Sequence, residues 1–408
     1  MGAPLEPGTT SQLRQARNDT IALSVLIAVV VVGFAVTAWL VRRYDAERAA
    51  RAWNWQKSGA AALRQKHPRQ AAEAYRNALA YNGENAGYQF GLGTALYQSG
   101  QLAQASRYFL ALWRRAPQSG PVNLSLARLE ARENYTDAAV RYYHNAIYGI
   151  WPAGGGGQRQ TARRELIALL LRNGQATQAD AEILALGATL PPTAAAHAAT
   201  GQQLLEVGDN HHALEEFQAA LRQDPHRFAA LVGAGRAAFR LAEYLRAQAY
   251  LRQAARLRPH NIVAGPLLAT TEQVLALDPF AFGLSRPERE QRVRRDVGIA
   301  RARLRRCQPA AEAASGGSGA PAAAKPTGGG GAGAAGASAA AAPLAALAAT
   351  GQKLQQRIAR RKLFQDPDGV SKAMSFVFQA EQAGSNTCGA PSGSDLALLL
   401  IARQRGGQ

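Results

Sequence analysis

Three patterns of apolar and polar positions divide the chain. From Thr20 to Val41 run 22 residues without a charge, TIALSVLIAVVVVGFAVTAWLV, so no helical phase offers a polar face. At 1.5 Å per residue they make about 33 Å of helix, enough to cross a hydrocarbon core of about 30 Å. Trp39 stands near one end, where an amphipathic ring suits the headgroup level, and Arg42 and Arg43 follow at once. A buried core helix rarely runs this long without a polar face. A cleaved signal peptide has a shorter apolar region and a small-residue cleavage site, which Trp39-Leu40-Val41-Arg42-Arg43 does not offer. Residues 1–19 therefore read as an N-terminal tail and 20–41 as a transmembrane helix.

The second pattern is a period. Ala71, Ala105 and Ala139 are 34 residues apart, with Tyr75, Phe109 and Tyr143 four residues on and Ala78, Leu112 and Ala146 seven on. A second set, Ala179, Ala213 and Ala247, repeats the step of 34 with Ile183, Phe217 and Leu251, and adds Pro191, Pro225 and Pro259. Gly59, Gly93, Gly201 and Gly235 hold a small position twelve residues upstream of the matching Ala. Between Ala139 and Ala179 six residues are inserted, where a run of four glycines lies. Each period reads as two helices, with small residues where backbones cross closely and Pro ending the second helix. No single pair can bury its apolar face, so neighbours must stack.

This run of small and large positions resembles the tetratricopeptide-repeat family. Trp55, Gly59, Ala71, Tyr75 and Ala78 match its positions in one unit, and Leu92, Gly93, Ala105, Phe109 and Pro117 in the next. Gly83 and Trp151 depart at the Pro position, and Ile167 at the Gly position. The resemblance implies an all-α fold: the transmembrane helix, then a right-handed superhelix of about six repeats. Units one to three occupy 52–153, a Gly-rich insertion 154–159, and units four to six 160–261. It also implies an inner face that holds a peptide or partner segment. Mapped here, that face carries Phe90, Tyr97, Gln98, Arg128, Arg132, Arg164, Arg172, Gln202, Arg236, Phe239 and Arg240. It is basic with aromatic patches, suited to an acidic segment with apolar anchors. The Lys and Asn pair with which chaperone-binding members clamp a C-terminal carboxylate is missing; Gln56, Ala60, Phe90 and Thr94 stand there.

The third pattern begins after the repeats. Residues 262–306 read as capping helices, the later one dense in Arg (Arg289, Arg292, Arg294, Arg295, Arg303, Arg305, Arg306). Residues 307–350 are dominated by Ala, Gly, Ser and Pro, with Glu312 and Lys325 the only charges, and read as a flexible linker. A small module, 351–408, follows, with helical pattern at 370–383 and an apolar run from Leu396 to Ile401 that reads as a strand or short helix. The two cysteines, Cys307 and Cys388, flank linker and module; a bond between them would pin the module beside the last array helix and require an oxidising compartment.

The formal net charge of +19 comes almost wholly from Arg and admits nucleic acid, an anionic membrane face or an acidic partner. The Arg-dense segment interleaves Glu288, Glu290 and Asp296 and has no aromatics for base stacking, so nucleic acid is not expected. Two distant cysteines form no metal site, and His211 and His212 face different sides of a helix without ligand partners. No phosphate loop, nucleophile elbow or triad is present, so neither catalysis nor a cofactor is expected. The expected function is a membrane-anchored scaffold for protein–protein interaction. The resemblance to single-pass membrane-anchored bacterial repeat proteins extends this to envelope protein assembly, secretion or maturation, with the soluble part on the periplasmic side of the inner membrane. The alternative is a cytoplasm-facing adaptor whose basic surface contacts lipid headgroups or nucleic acid; Arg42, Arg43, Arg48 and Arg51 after the span favour that side.

Overall fold

The computed structural model describes residues 8–152, 155–315, 334–360 and 363–406. Among the described residues all regular structure is helical, and the one β-type feature is an isolated parallel bridge between Ser119 and Ile150. The chain forms two compact units, Met1–Gly174 and Gln175–Gln408.

The first unit begins with α1 (Gly8–Arg64), a single helix of 57 residues. It is the one described helix long and apolar enough to cross a membrane. Leu26, Val29, Val31, Phe34 and Val41 are all exposed on it, so apolar side chains point outward on every face. The same helix continues without a break past Ala52, which is buried, and forms the first member of a helical pair. Its partner is α2 (Pro68–Tyr81), begun by a proline in its first turn and packed through Ala71, Ala74, Tyr75 and Ala78. The pairs α3 (Ala86–Gln98) with α4 (Leu102–Arg115), and α5 (Gly120–Arg132) with α6 (Thr136–Tyr148), repeat this arrangement.

The large residue of each second helix is seated on glycines. A Cβ on Gly59 would meet the ring of Tyr75 at 2.8 Å, and one on Gly93 would meet Phe109 at 2.7 Å. Tyr75 also lies against Gly91 of the following pair, so its ring fills the space between neighbouring pairs.

The expected insertion at 154–159 is mostly helix. α7 (Gly156–Arg172) starts inside it and belongs to the first unit, so the division between units falls at Gly174 and not at the glycine run. The reason lies in the preceding turn. Trp151, at the position where proline was expected, covers Gly120 and Gly155 and donates its indole N–H to the Ala146 carbonyl at 2.7 Å. Ile150 donates to the Gln118 carbonyl and accepts from the Gly120 amide, at 2.7 and 2.8 Å. The chain thus turns sharply into α7, which buries Ala162, Leu166, Ile167, Leu169 and Leu170.

In the second unit, α8 (Ala176–Gly187) precedes the pairs α9 (Ala194–Val207) with α10 (Asn210–Gln223) and α11 (Phe228–Arg240) with α12 (Tyr244–Leu257). Thr193 and Asp209 cap α9 and α10 by accepting the amides of Ala196 and His212. α13 (Ala264–Leu277) packs on α12, and α14 (Arg286–Ser315) runs nine residues beyond the expected end of the capping region. α15 (Ala334–Ala359), α16 (Gly369–Thr387) and α17 (Gly393–Gly406) complete the unit.

One expectation is corrected here. The linker 307–350 is helical at both ends; its middle, 316–333, lies outside the described residues, as does the tail 1–7. Alanine, the strongest helix former, allows this, and Leu344, Leu354 and Ile358 fix α15 by burial. The apolar run Leu396–Ile401, for which a strand or a short helix was expected, is part of the helix α17.

The C-terminal helices share one core with the last repeat. Tyr244, Val274 and Leu277 are buried together with Val293, Val297, Leu304, Met374, Phe376, Leu398 and Ile401. α14 is central to it, which changes the reading of its arginines. Arg292 donates to the carbonyls of Leu275 and Asp278, and Arg294 to that of Ile358. Arg303, buried, and Arg306 both bind Asp395 at 2.8 Å. Only Arg289, Arg295 and Arg305 of that group face outward unpaired. Cys307 and Cys388 are bonded, with Cα atoms 5.4 Å apart, which ties α14 to the end of α16.

Candidate partner-binding face

The residues expected on the inner face lie on α3, α5, α7, α9 and α11, and in the first unit two of its four arginines are bonded within the protein. Arg128 on α5 forks onto Glu165 of α7, with Nε–Oε2 at 2.8 Å and Nη2–Oε1 at 2.7 Å. Tyr143 of α6 donates to the same carboxylate at 3.2 Å. The bond to Glu165 raises the Arg128 pKa, and burial followed by the Glu165 charge pushes the Tyr143 phenol well up. Arg132 donates to the Tyr97 carbonyl at 3.1 Å, and its guanidinium lies 5.5 Å from the Tyr97 ring centroid. Phe90 is half-buried against Phe109, with ring centroids 5.9 Å apart.

Of the remaining first-unit positions, Gln98, Arg164 and Arg172 are exposed, and neither Arg164 nor Arg172 holds a hydrogen bond or ion pair. Arg128 and Arg132 are thus brought together around Tyr97; Glu165 neutralises Arg128, whereas Arg132, exposed and bound to a neutral carbonyl, keeps its charge. A partner would meet the free guanidinium groups of Arg164 and Arg172 on α7.

The second unit contains an open, shallow cavity. Arg236, Phe239 and Arg240 of α11 and Val263, Pro266, Leu267 and Thr270 around the start of α13 line about 430 Å³ of it. Phe239 stands edge-on to Tyr244, with centroids 5.5 Å apart, which fixes one wall. Arg240 is committed to the Leu205 carbonyl at 2.7 Å. Arg236 is half-buried with no hydrogen bond or ion pair, so a cation without a partner points into an apolar-walled site. Gln202 of α9 is exposed and bonds Glu206 along its own helix at 3.0 Å, apart from the cavity.

The geometry can seat a short extended segment, with an apolar side chain on Phe239 and Leu267 and a carboxylate at Arg236. The repeat reading missed the α13 wall, although Ala196, Ala230 and Ala264 continue the spacing of 34. Among the described residues no group of three or more His, Cys, Asp or Glu is placed to hold a metal ion.

Two family models, each described as tetratricopeptide repeat, match residues 62–129 and 198–262. Among solved structures, Pseudomonas aeruginosa pilF is 14% identical, with 53% of this chain and 96% of that one covered and a TM-score of 0.36. PilW, described as a type IV pilus biogenesis factor, is 17% identical over 54% of this chain and 98% of that one, with a TM-score of 0.34. The C-terminal part of a repeat protein from Cytophaga hutchinsonii is 13% identical over 58% and 95%, with a TM-score of 0.42. No curated protein matches the chain.

Proposed function

From the premise that this chain belongs to the tetratricopeptide-repeat family, we propose that it is a membrane-anchored, non-enzymatic scaffold that captures an acidic, extended protein segment. The observation that carries this reading is the unpaired Arg236 beside Phe239 in a cavity walled by α11 and α13. A carboxylate paired there would replace solvent with a charge-assisted bond, and the apolar wall would anchor the neighbouring side chain. Residues 20–41 hold the scaffold to the bilayer. The bonded Cys307 and Cys388 support a soluble part outside the cytoplasm, because such bonds persist in oxidising compartments. On this reading the protein serves envelope protein assembly, secretion or maturation at the bacterial inner membrane.

A photo-crosslinking residue replacing Phe239, in cells carrying the full chain, tests the site. Adducts are expected at 239 and not at Leu257, which is exposed on α12 outside the cavity. Arg236→Glu should reduce them about tenfold or more, the cost of opposing an acidic partner with a like charge. Equal adducts at both positions, unchanged by Arg236→Glu, refute the site. Alkaline phosphatase and fluorescent-protein fusions at the C-terminus report the side of the membrane.

A further inference from the structure

The first unit carries a second exposed surface that partner capture does not use. It lies along the edge from which the apolar part of α1 emerges. Arg48, seven residues beyond Val41, donates to the Tyr81 carbonyl at the end of α2 at 2.9 Å. Glu84, just after α2, is ion-paired with Arg115 at the end of α4. The turn after α4 is in turn bonded to the turn after α6 through Gln118, Gly120 and Ile150. These contacts place three successive turns in one row that starts about 10 Å of helix beyond the apolar segment.

The chemistry of this row differs from that of the opposite edge. Tyr148 and Ile150 are 74% and 66% exposed at its far end. Beside them an open cavity of about 650 Å³ is walled by Pro117, Pro121, Trp151 and Pro152. Arg42, between the apolar segment and the row, and Arg114, near the end of α4, are exposed without an ion pair or hydrogen bond. The opposite edge, linked through Arg132 with Tyr97 and Thr136 with Asn173, also exposes an aromatic tip, Tyr135 at 61%, but sets it between the acids Glu133 and Asp137, so the acids are what separate the two edges.

We propose that this edge lies on the bilayer, with Tyr148, Ile150 and Trp151 in the headgroup layer and the arginines against anionic lipid. Aromatic and apolar tips flanked by Arg are what an interfacial segment requires, and the row is covalently continuous with the span. The proposal rests on the reading that residues 20–41 cross the membrane. Because α1 passes from that segment into the first repeat without a break, the edge is already held at the surface and needs only a few contacts to settle there.

The test uses the full chain, reconstituted in vesicles of phosphatidylcholine with phosphatidylglycerol, with the native disulfide retained. An environment-sensitive fluorophore is attached singly at Val31→Cys, Ile150→Cys and Glu133→Cys, with unlabelled-site protein as the blank. At 150 we expect a blue-shifted emission, quenched by headgroup-level nitroxide lipid, with the quenching reduced several-fold by Arg114→Glu. At 31 quenching by acyl-chain nitroxide is expected, and at 133 a water-like signal. A label at 150 as aqueous as that at 133, while 31 stays in lipid, overturns the proposal and leaves the anchor intact; it also follows if a partner protein covers this edge instead. An aqueous label at 31 overturns both.

Discussion

Gly91 is a position where two well-measured effects oppose each other, so the sign of a single substitution tests the packing argument. In the interior of a helix, Gly→Ala gains about 1 kcal/mol from backbone entropy and propensity. At Gly91 the added Cβ would lie 2.8 Å from Cδ1 of Tyr75, and closer still to Cε1 and Cζ. The ring has little room to retreat, because its opposite edge (Cε2 and Cδ2) is packed on Gly59 and Tyr75 is only 5% exposed. Overpacking of this kind costs about 1–3 kcal/mol, and the pinned ring places it near the upper end. We therefore expect Gly91→Ala to destabilise the first unit by about 1–2 kcal/mol net. In a Tyr75→Ala background the obstruction is gone, and the same change should stabilise by about 1 kcal/mol, a coupling of about 2–3 kcal/mol. All five tryptophans, Trp39, Trp53, Trp55, Trp113 and Trp151, lie in the first unit, so their emission during urea unfolding reports on it alone. A stabilising effect of Gly91→Ala in the parent chain would refute the account of how pairs stack.

Three further outcomes follow from particular contacts. Arg128→Glu should destabilise the first unit by about 1–2 kcal/mol in the same urea assay, since it sets a like charge against the half-buried Glu165; Arg236→Glu should leave stability near that of the parent. Asp296 is fully buried with neither carboxylate oxygen hydrogen-bonded, and burial pushes its pKa up to about 8. Its folded form keeps a proton that the unfolded chain releases near pH 4, so stability should be full at low pH and fall as pH rises toward 8. Glu381, raised to about 8 by burial and then by Asp395, acts in the same direction. Pulse proteolysis of the second unit from about pH 5 to about pH 8 reads the slope, which Asp296→Asn should reduce. Reduction of the Cys307–Cys388 bond, which spans a sequence separation of 81, should cost the second unit up to about 4 kcal/mol, checked by urea midpoints beside thiol titration.

The repeats were readable because their signal is local and periodic. Tyr75, Phe109, Phe217 and Leu251 recur at a fixed distance from small residues, and each is buried against glycine. For the residues assigned to the inner face, the helix that carries each was readable but the charge state was not. Arg128 and Arg236 occupy matching sites in their helices, yet one is neutralised by Glu165 and the other has no partner. Glu165 is 37 residues from Arg128 and follows the insertion that shifts the repeat phase, so spacing does not disclose the pair. The cavity wall from α13 was hidden for a different reason. Val263, Pro266 and Leu267 have no family signature, although they continue the geometry of the preceding first helices.

The Arg-dense α14 shows the same limit in a stronger form. A run with this many guanidinium groups reads as a solvated surface, because burial of a lone charge costs several kcal/mol. Yet successive turns carry Val293, Val297, Ala300 and Leu304 on one face, and these make the helix a core element. The charge that enters with it is met from residues far along the chain. Asp395, 92 residues from Arg303, accepts from it and from Arg306 at 2.8 Å. Asp395 already binds both arginines, so Glu381, whose nearest approach is Arg303 Nε at 3.3 Å without a hydrogen bond, is the carboxyl that burial drives toward its neutral form. Removing Asp395 alone would leave Arg303 buried beside one half-neutral acid, whereas replacing Arg303 and Asp395 together by apolar residues would remove both desolvation costs. The pair is therefore better understood as fixing which helices meet, α14 with α16 and α17, than as a net source of stability.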